Sequence, residues 1–123
     1  MRHRRKRKSA VQENRRSHKM LLKKWLKIIL KKLIEEYKPE KIILFGSLVS
    51  GKIDEASDID LVIVKRTRKR FLERGLEVGM LCLARVGVDY FVYTPKEFAE
   101  MARENIFFQR EVLGKGKVLY EKS

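Results

Sequence analysis

The chain has 123 residues, a length that suits one domain with a single modest core, and it carries 30 Lys/Arg against 16 Asp/Glu for a formal charge of +14. Its one cysteine, Cys82, excludes an intrachain disulfide framework and, set in the apolar run GMLCLA, reads as a buried, reduced thiol suited to the cytoplasm. No transmembrane segment is expected, because lysines interrupt the most apolar stretch, LLKKWLKIILKKLI, every few residues.

The charge is concentrated at the N-terminus. Residues 1–18 hold eight Arg/Lys against one Glu, a net of +7, and residues 19–38 add +5, which leaves +2 for residues 39–123. The opening MRHRRKRKSAVQENRRSHK has no apolar period and reads as a disordered basic arm, residues 1–19, able to contact nucleic acid without sequence preference. A solvated tail is a competing reading, as is a start codon assigned too early, with Met20 opening a domain of residues 20–123. The two histidines, His3 and His18, both fall in this arm and read as solvated.

Leu22, Trp25, Leu26, Ile29, Leu33 and Tyr37 then recur on one helical face with Lys24, Lys27 and Lys31 opposite, so residues 20–37 are predicted to form an amphipathic helix ended by Pro39. A basic amphipathic helix can bind a membrane surface or a partner groove. Core packing with solubilising lysines accounts for the same pattern.

KIILFGS follows, a strand running into a glycine turn. Gly46, Gly51 and Lys52 come close to the phosphate-binding loop of the P-loop NTPases, but Ile53 stands where that loop needs a hydroxyl for Mg²⁺. Only six residues separate Lys52 from the next apolar run, IDLVIV, too few for the crossover helix the loop requires. The P-loop reading therefore fails. SDIDLVIV reads instead as a strand that carries Asp58 and Asp60 on one side while Ile59, Leu61 and Ile63 point to the other. Two carboxylates held so close repel unless a cation lies between them, and Mg²⁺ is typically held by one or two carboxylates plus substrate phosphates. An isolated Asp-x-Asp commonly decorates a strand start; the preceding FGS turn is what points to a site.

TRKRFLERGLEVGMLCLARVG reads as a helix, with Gly75 and Gly79 as candidate points for a bend or a break. VDYFVYT is a strand that opens with Asp89, and PKEFAEMARENIFFQREVLG is a helix running from Pro95 to Gly114. KVLYEK is a short edge strand. This order gives an α/β (α+β) domain with a mixed sheet and an amphipathic N-terminal helix. If the Asp89 strand lies beside the Asp58/Asp60 strand, three acids gather at one end of the sheet near a glycine turn. Those are the parts of a two-metal phosphoryl or nucleotidyl transfer site.

On these residues the chain resembles a minimal nucleotidyltransferase (MNT) domain of the polymerase-beta superfamily. Gly46 and Ser47, ten residues, then Asp58-Ile59-Asp60 match that family's Gly-Ser and Asp-x-Asp signature, and VDYFVYTPKEF supplies its later acid at Asp89. The likeness covers about residues 20–122. It implies a mixed-sheet nucleotidyltransferase domain in which Gly46 and Ser47 hold the nucleotide phosphates, Asp58, Asp60 and Asp89 form the Mg²⁺ site, and Asp89 helps activate the acceptor hydroxyl. Many relatives carry Arg just before the second glycine of the loop; here Ser50 stands there, so a phosphate contact is missing or is supplied by Lys52.

Single-domain members of this kind resemble the antitoxin half of HEPN/MNT toxin-antitoxin pairs, which transfer AMP from ATP to a tyrosine of a HEPN ribonuclease. The resemblance thus implies ATP as substrate, Mg²⁺ as cofactor and a HEPN-family toxin as partner. A short chain with no evident acceptor domain agrees with a partner that supplies the acceptor. Two other readings stay open: an antitoxin that acts by complex formation alone, and a nucleotidyltransferase acting on RNA or a small molecule.

Overall fold

The computed structural model describes residues 2–123, with side chains from Ala10 onward. Helix α1 spans Arg2–Lys32 and closes in a wide π-type turn, Leu33–Tyr37, where the Lys38 N–H donates to the Leu33 carbonyl at 2.8 Å. The arm expected to be disordered is therefore helical in its backbone from Arg2, and the helix does not begin at Met20. The physical reason lies in composition: no glycine or proline precedes Pro39, and Arg, Lys, Gln, Glu and Ala all favour helix. Continuation from an anchored helix also avoids the nucleation penalty that a free arm would face. Lys38 takes the left-handed conformation and Pro39 stops the helix.

Strand β1 (Lys41–Phe45) leads into a single helical turn, α2 (Ser47–Ser50), closed by Gly51 in the left-handed conformation. No helix follows Lys52, in keeping with the rejected P-loop. Strand β2 (Ile59–Val64), helix α3 (Phe71–Cys82) and strand β3 (Val88–Tyr93) come next. Helix α3 runs unbroken through Gly75 and Gly79.

Helix α4 spans Pro95–Glu104. Its start is fixed by a reciprocal cap: the Glu97 N–H donates to Thr94 Oγ1 at 3.2 Å, the Thr94 N–H donates to Glu97 Oε1 at 2.7 Å, and Pro95 occupies the first turn. The predicted helix to Gly114 is broken at Asn105, which turns extended while its side-chain oxygen accepts the Phe108 N–H at 2.8 Å. A short amide that competes for backbone donors explains the break. A second π-type segment, Phe108–Gly114, leads to strand β4 (Lys117–Glu121).

The sheet order is β3-β2-β1-β4, with β1 antiparallel to both β2 and β4, and β2 parallel to β3 across the α3 crossover. The sheet is mixed and β4 lies at an edge, as the sequence predicts. Strand β2 is buried along most of its length, which its near-continuous apolar run requires. Residues alternating along the strands divide the core in two. Ile42, Leu44, Ile59, Leu61, Ile63 and Val92 pack with Leu22 and Ile29 of α1, Leu33 of the π-type turn and Val78 of α3. On the opposite face Ile43, Phe45 and Val62 pack with Phe108 and Val112. Cys82 is buried and unpaired, and burial raises its thiol pKa. Among the described residues no helix is long and apolar enough to cross a membrane.

Candidate active site

The strand register decides where the acids meet. In the parallel ladder Asp60 lies opposite Asp89, and in the antiparallel ladder it lies opposite Phe45, the residue before the Gly46 turn. Asp58 sits just before β2, where the Ile59 N–H donates to the Gly87 carbonyl at 3.0 Å and ties the two strand starts together. Asp58, Asp60 and Asp89 are thereby gathered at one end of the sheet, beside Gly46 and Ser47.

Burial raises the Asp60 pKa most, and a hydrogen bond shared with Asp89, the Asp89 charge and the Asp58 charge push it further, up to about 6. This is the behaviour of a carboxylate that shares a confined site with others of its kind.

Two glycines make the confinement possible. Gly46 has φ +80°, a conformation that side chains rarely adopt, and a Cβ there would lie 2.3 Å from Asp60 Oδ2. A Cβ at Gly87 would lie 2.1 Å from Asp58 Oδ1. Each carboxylate therefore rests against bare backbone of a neighbouring strand end. The Gly46 carbonyl also accepts the Val49 and Ser50 N–H groups, both at 3.1 Å, which closes the short turn after it.

The loop into Asp58 is organised by Asp54 and Ser57. Asp54 Oδ1 accepts the Ala56 N–H at 2.8 Å, and Ser57 Oγ accepts the Asp54 N–H at 2.9 Å. From outside, half-buried His18 donates through Nε2 to the Ser57 carbonyl at 2.9 Å. The histidine expected to be solvated is thus a strut between α1 and the residue preceding Asp58.

Among the described residues no three His, Cys, Asp or Glu side chains are drawn tightly enough to form a ready-made cation cage. The donors present are nevertheless those that Mg²⁺ prefers, carboxylate oxygens with no thiolate or imidazole among them. Gly46 and Gly87 let the carboxylates sit this close, and the mutual charge that raises the Asp60 pKa is what such an ion would relieve, so the residues fit a divalent cation held by Asp58, Asp60 and Asp89.

The structure brings together the three acids and the Gly-Ser turn that the sequence singles out, while the contacts of Gly87 and His18 and the Asp54–Ser57 turn were not foreseen. The sequence signal for the last was present, since Asp and Ser three apart favour such a turn. Nothing local to Gly87 or His18 gives away its contact with a distant segment.

No curated protein matches the chain. A crystal structure of a candidate nucleotidyltransferase from Sulfolobus solfataricus superposes with a TM-score of 0.62 at 20% identity, covering 89% of this chain and 88% of that one, which shows a shared fold. The sequence model of the family "Polymerase beta, Nucleotidyltransferase" matches residues 27–123. That match takes in β1, the Gly46 turn, all three acids and every later element, and the chain belongs to the polymerase beta nucleotidyltransferase family.

Proposed function

We propose that the protein is a Mg²⁺-dependent nucleotidyltransferase that moves AMP from ATP to a tyrosine of a HEPN-family partner, acting as the antitoxin of such a pair. The observation that carries the transfer chemistry is the registered Asp60–Asp89 pair with Asp58 beside it, at the Gly46–Ser47 turn. In this reading Gly46 and Ser47 present backbone to the triphosphate. When bound, Mg²⁺ would neutralise charge on the phosphates and be held by Asp58, Asp60 and Asp89. The tyrosine oxygen attacks the α-phosphorus, forming a new P–O bond as the bond to the bridging β-oxygen breaks and pyrophosphate leaves. The phenolic proton passes to the Asp89 carboxylate. That help matters because a tyrosine with its ordinary pKa of about 10 is almost entirely neutral near pH 7.

An outward face supports a protein acceptor. Leu72, Leu76, Met80 and Leu83 of α3 and its C-terminal end are each more than two-thirds exposed, an apolar stripe larger than scattered surface residues would give. A cleft lined by Phe71, Leu72, Leu76 and Asp89 connects this stripe to the third acid. A second reading, RNA as acceptor, is favoured by one observation: the basic N-terminal half of α1 is tied through His18 to the loop bearing Asp58.

The test is mass spectrometry of a HEPN partner encoded beside this chain, after incubation with the protein, ATP and Mg²⁺. An AMP adduct on a tyrosine is expected. An unmodified partner that is nevertheless inhibited would make this a binding antitoxin, and an unmodified, uninhibited one would contradict the partner assignment.

A further inference from the structure

A second cavity opens from Asp60 on the face of the sheet opposite α1 and α3. It encloses about 380 Å³, within the range of small-molecule pockets, between the sheet and the segment that follows α4. Its walls are aromatic: Phe45 and Phe91 from the strands, with ring centroids 5.8 Å apart, and Phe107 and Phe108 from the segment after the Asn105 break. Phe107 stands at 64% exposure, unusual for a phenylalanine that lines a cavity. Asn105 contributes an amide whose Oδ1 is committed to the Phe108 N–H, while Nδ2 makes no hydrogen bond among the described residues.

We infer that this cleft takes the nucleobase of the nucleotide substrate, held between aromatic rings and hydrogen-bonded along its edge by Asn105 Nδ2. The inference rests on the nucleotidyl-transfer reading above and extends it to the base. The lining contains no Lys or Arg, so beyond the Asp60 end, where a cation would sit, a phosphate chain finds no counter-charge in the cleft. A flat, uncharged ring with acceptor atoms on its edge meets the aromatic walls and the Asn105 amide, and base–aromatic stacking is sequence-tolerant and favourable. The phosphates then lie on the other side of Asp60, toward Gly46 and Ser47, which is the order in which a nucleotide presents them. The break at Asn105 seats Phe108 in the second core and also turns the chain so that Asn105, Phe107 and Phe108 all border one cleft.

Phe107→Ala tests this, since an exposed ring can be removed without emptying the core. Calorimetric titration of the full chain and the variant with ATP and with inorganic tripolyphosphate, both with Mg²⁺, is the measurement. The expected result is an ATP affinity lowered on the order of tenfold or more, the size of one lost base–aromatic stack, with tripolyphosphate binding unchanged. ATP binding equal in the two proteins would overturn the assignment while leaving nucleotidyl transfer standing. So would equal ATP binding with slower transfer, which gives the cleft to the acceptor. If the full chain binds tripolyphosphate and ATP with the same affinity, the base makes no contact and the cleft is not its site. Failure of the full chain to bind either probe would overturn the underlying function and this inference with it.

Discussion

Gly87 has no chemistry of its own, yet the position of Asp58 depends on it. A methyl group there would lie 2.1 Å from Asp58 Oδ1, so Gly87→Ala must push the carboxylate away from the other two acids. Transfer is expected to fall at least tenfold, about 1.4 kcal/mol in the barrier, with the circular dichroism spectrum unchanged. Unaltered transfer would show that Asp58 needs no fixed seat. Asp60 allows a second test at this scale. Its folded-state pKa, about 6, is raised above the ordinary 3.8. The protonated form is thus the one favoured by folding, and the stability it contributes is complete below about pH 4 and lost as pH rises through 6. In chelator, Asp60→Asn should therefore gain on the parent protein between pH 4 and pH 7, followed by urea denaturation. A gap that stays constant over that range would contradict the crowding described. The acids and Gly46 were legible because strand alternation and a glycine turn are local patterns. Gly87 and His18 were not, because each acts on a residue that only tertiary packing brings near.

At the scale of elements, α3 and α4 are joined by one buried side chain. Arg74 of α3 is 7% exposed and donates to the Lys69 carbonyl at 2.7 Å, the Val92 carbonyl at 3.1 Å and Glu97 Oε1 at 2.6 Å. Burial works to raise the Glu97 pKa, but the bonds from Arg74 and from Thr94 outweigh it and hold the carboxyl below its usual value. Since Glu97 also caps α4, Arg74 links the crossover helix, the end of β3 and the start of α4. Arg74→Met keeps the volume and removes the bonds. It should lower stability by about 1–3 kcal/mol, because two backbone carbonyls lose their donor while Glu97 keeps access to water. Calorimetric or urea unfolding measures this, and a variant as stable as the parent would show the link to be idle. The strands and the start of α4 could be read from β-branched runs and from Pro95. The break at Asn105 could not, since the apolar period continues past it and only the amide's capture of the Phe108 N–H ends the helix.

For the molecule as a whole, the nearly neutral body with its acid cluster and the strongly basic α1 extension form one structure, joined at His18 and Ser57. The sequence gives the charge division, and the helical continuity of residues 2–19 emerges only because α1 supplies a folded end to extend. Removing residues 1–16 while keeping His18 should leave the fold intact, weaken any nucleic-acid binding and flatten its salt dependence, read by titration with a single-stranded RNA at two ionic strengths. Unchanged RNA affinity would remove the extension from any polyanion contact. In the proposed mechanism Asp58 and Asp60 hold the reacting nucleotide through a divalent cation. The most direct measurement of that role is Mg²⁺-dependent transfer of label from α-³²P-ATP to the partner by the parent protein, Asp58→Asn and Asp60→Asn, with folding of each checked by thermal unfolding. Labelling by the parent is expected, with a loss of at least a hundredfold, about 2.7 kcal/mol, in both folded variants. Labelling at the parent rate by either variant would contradict it.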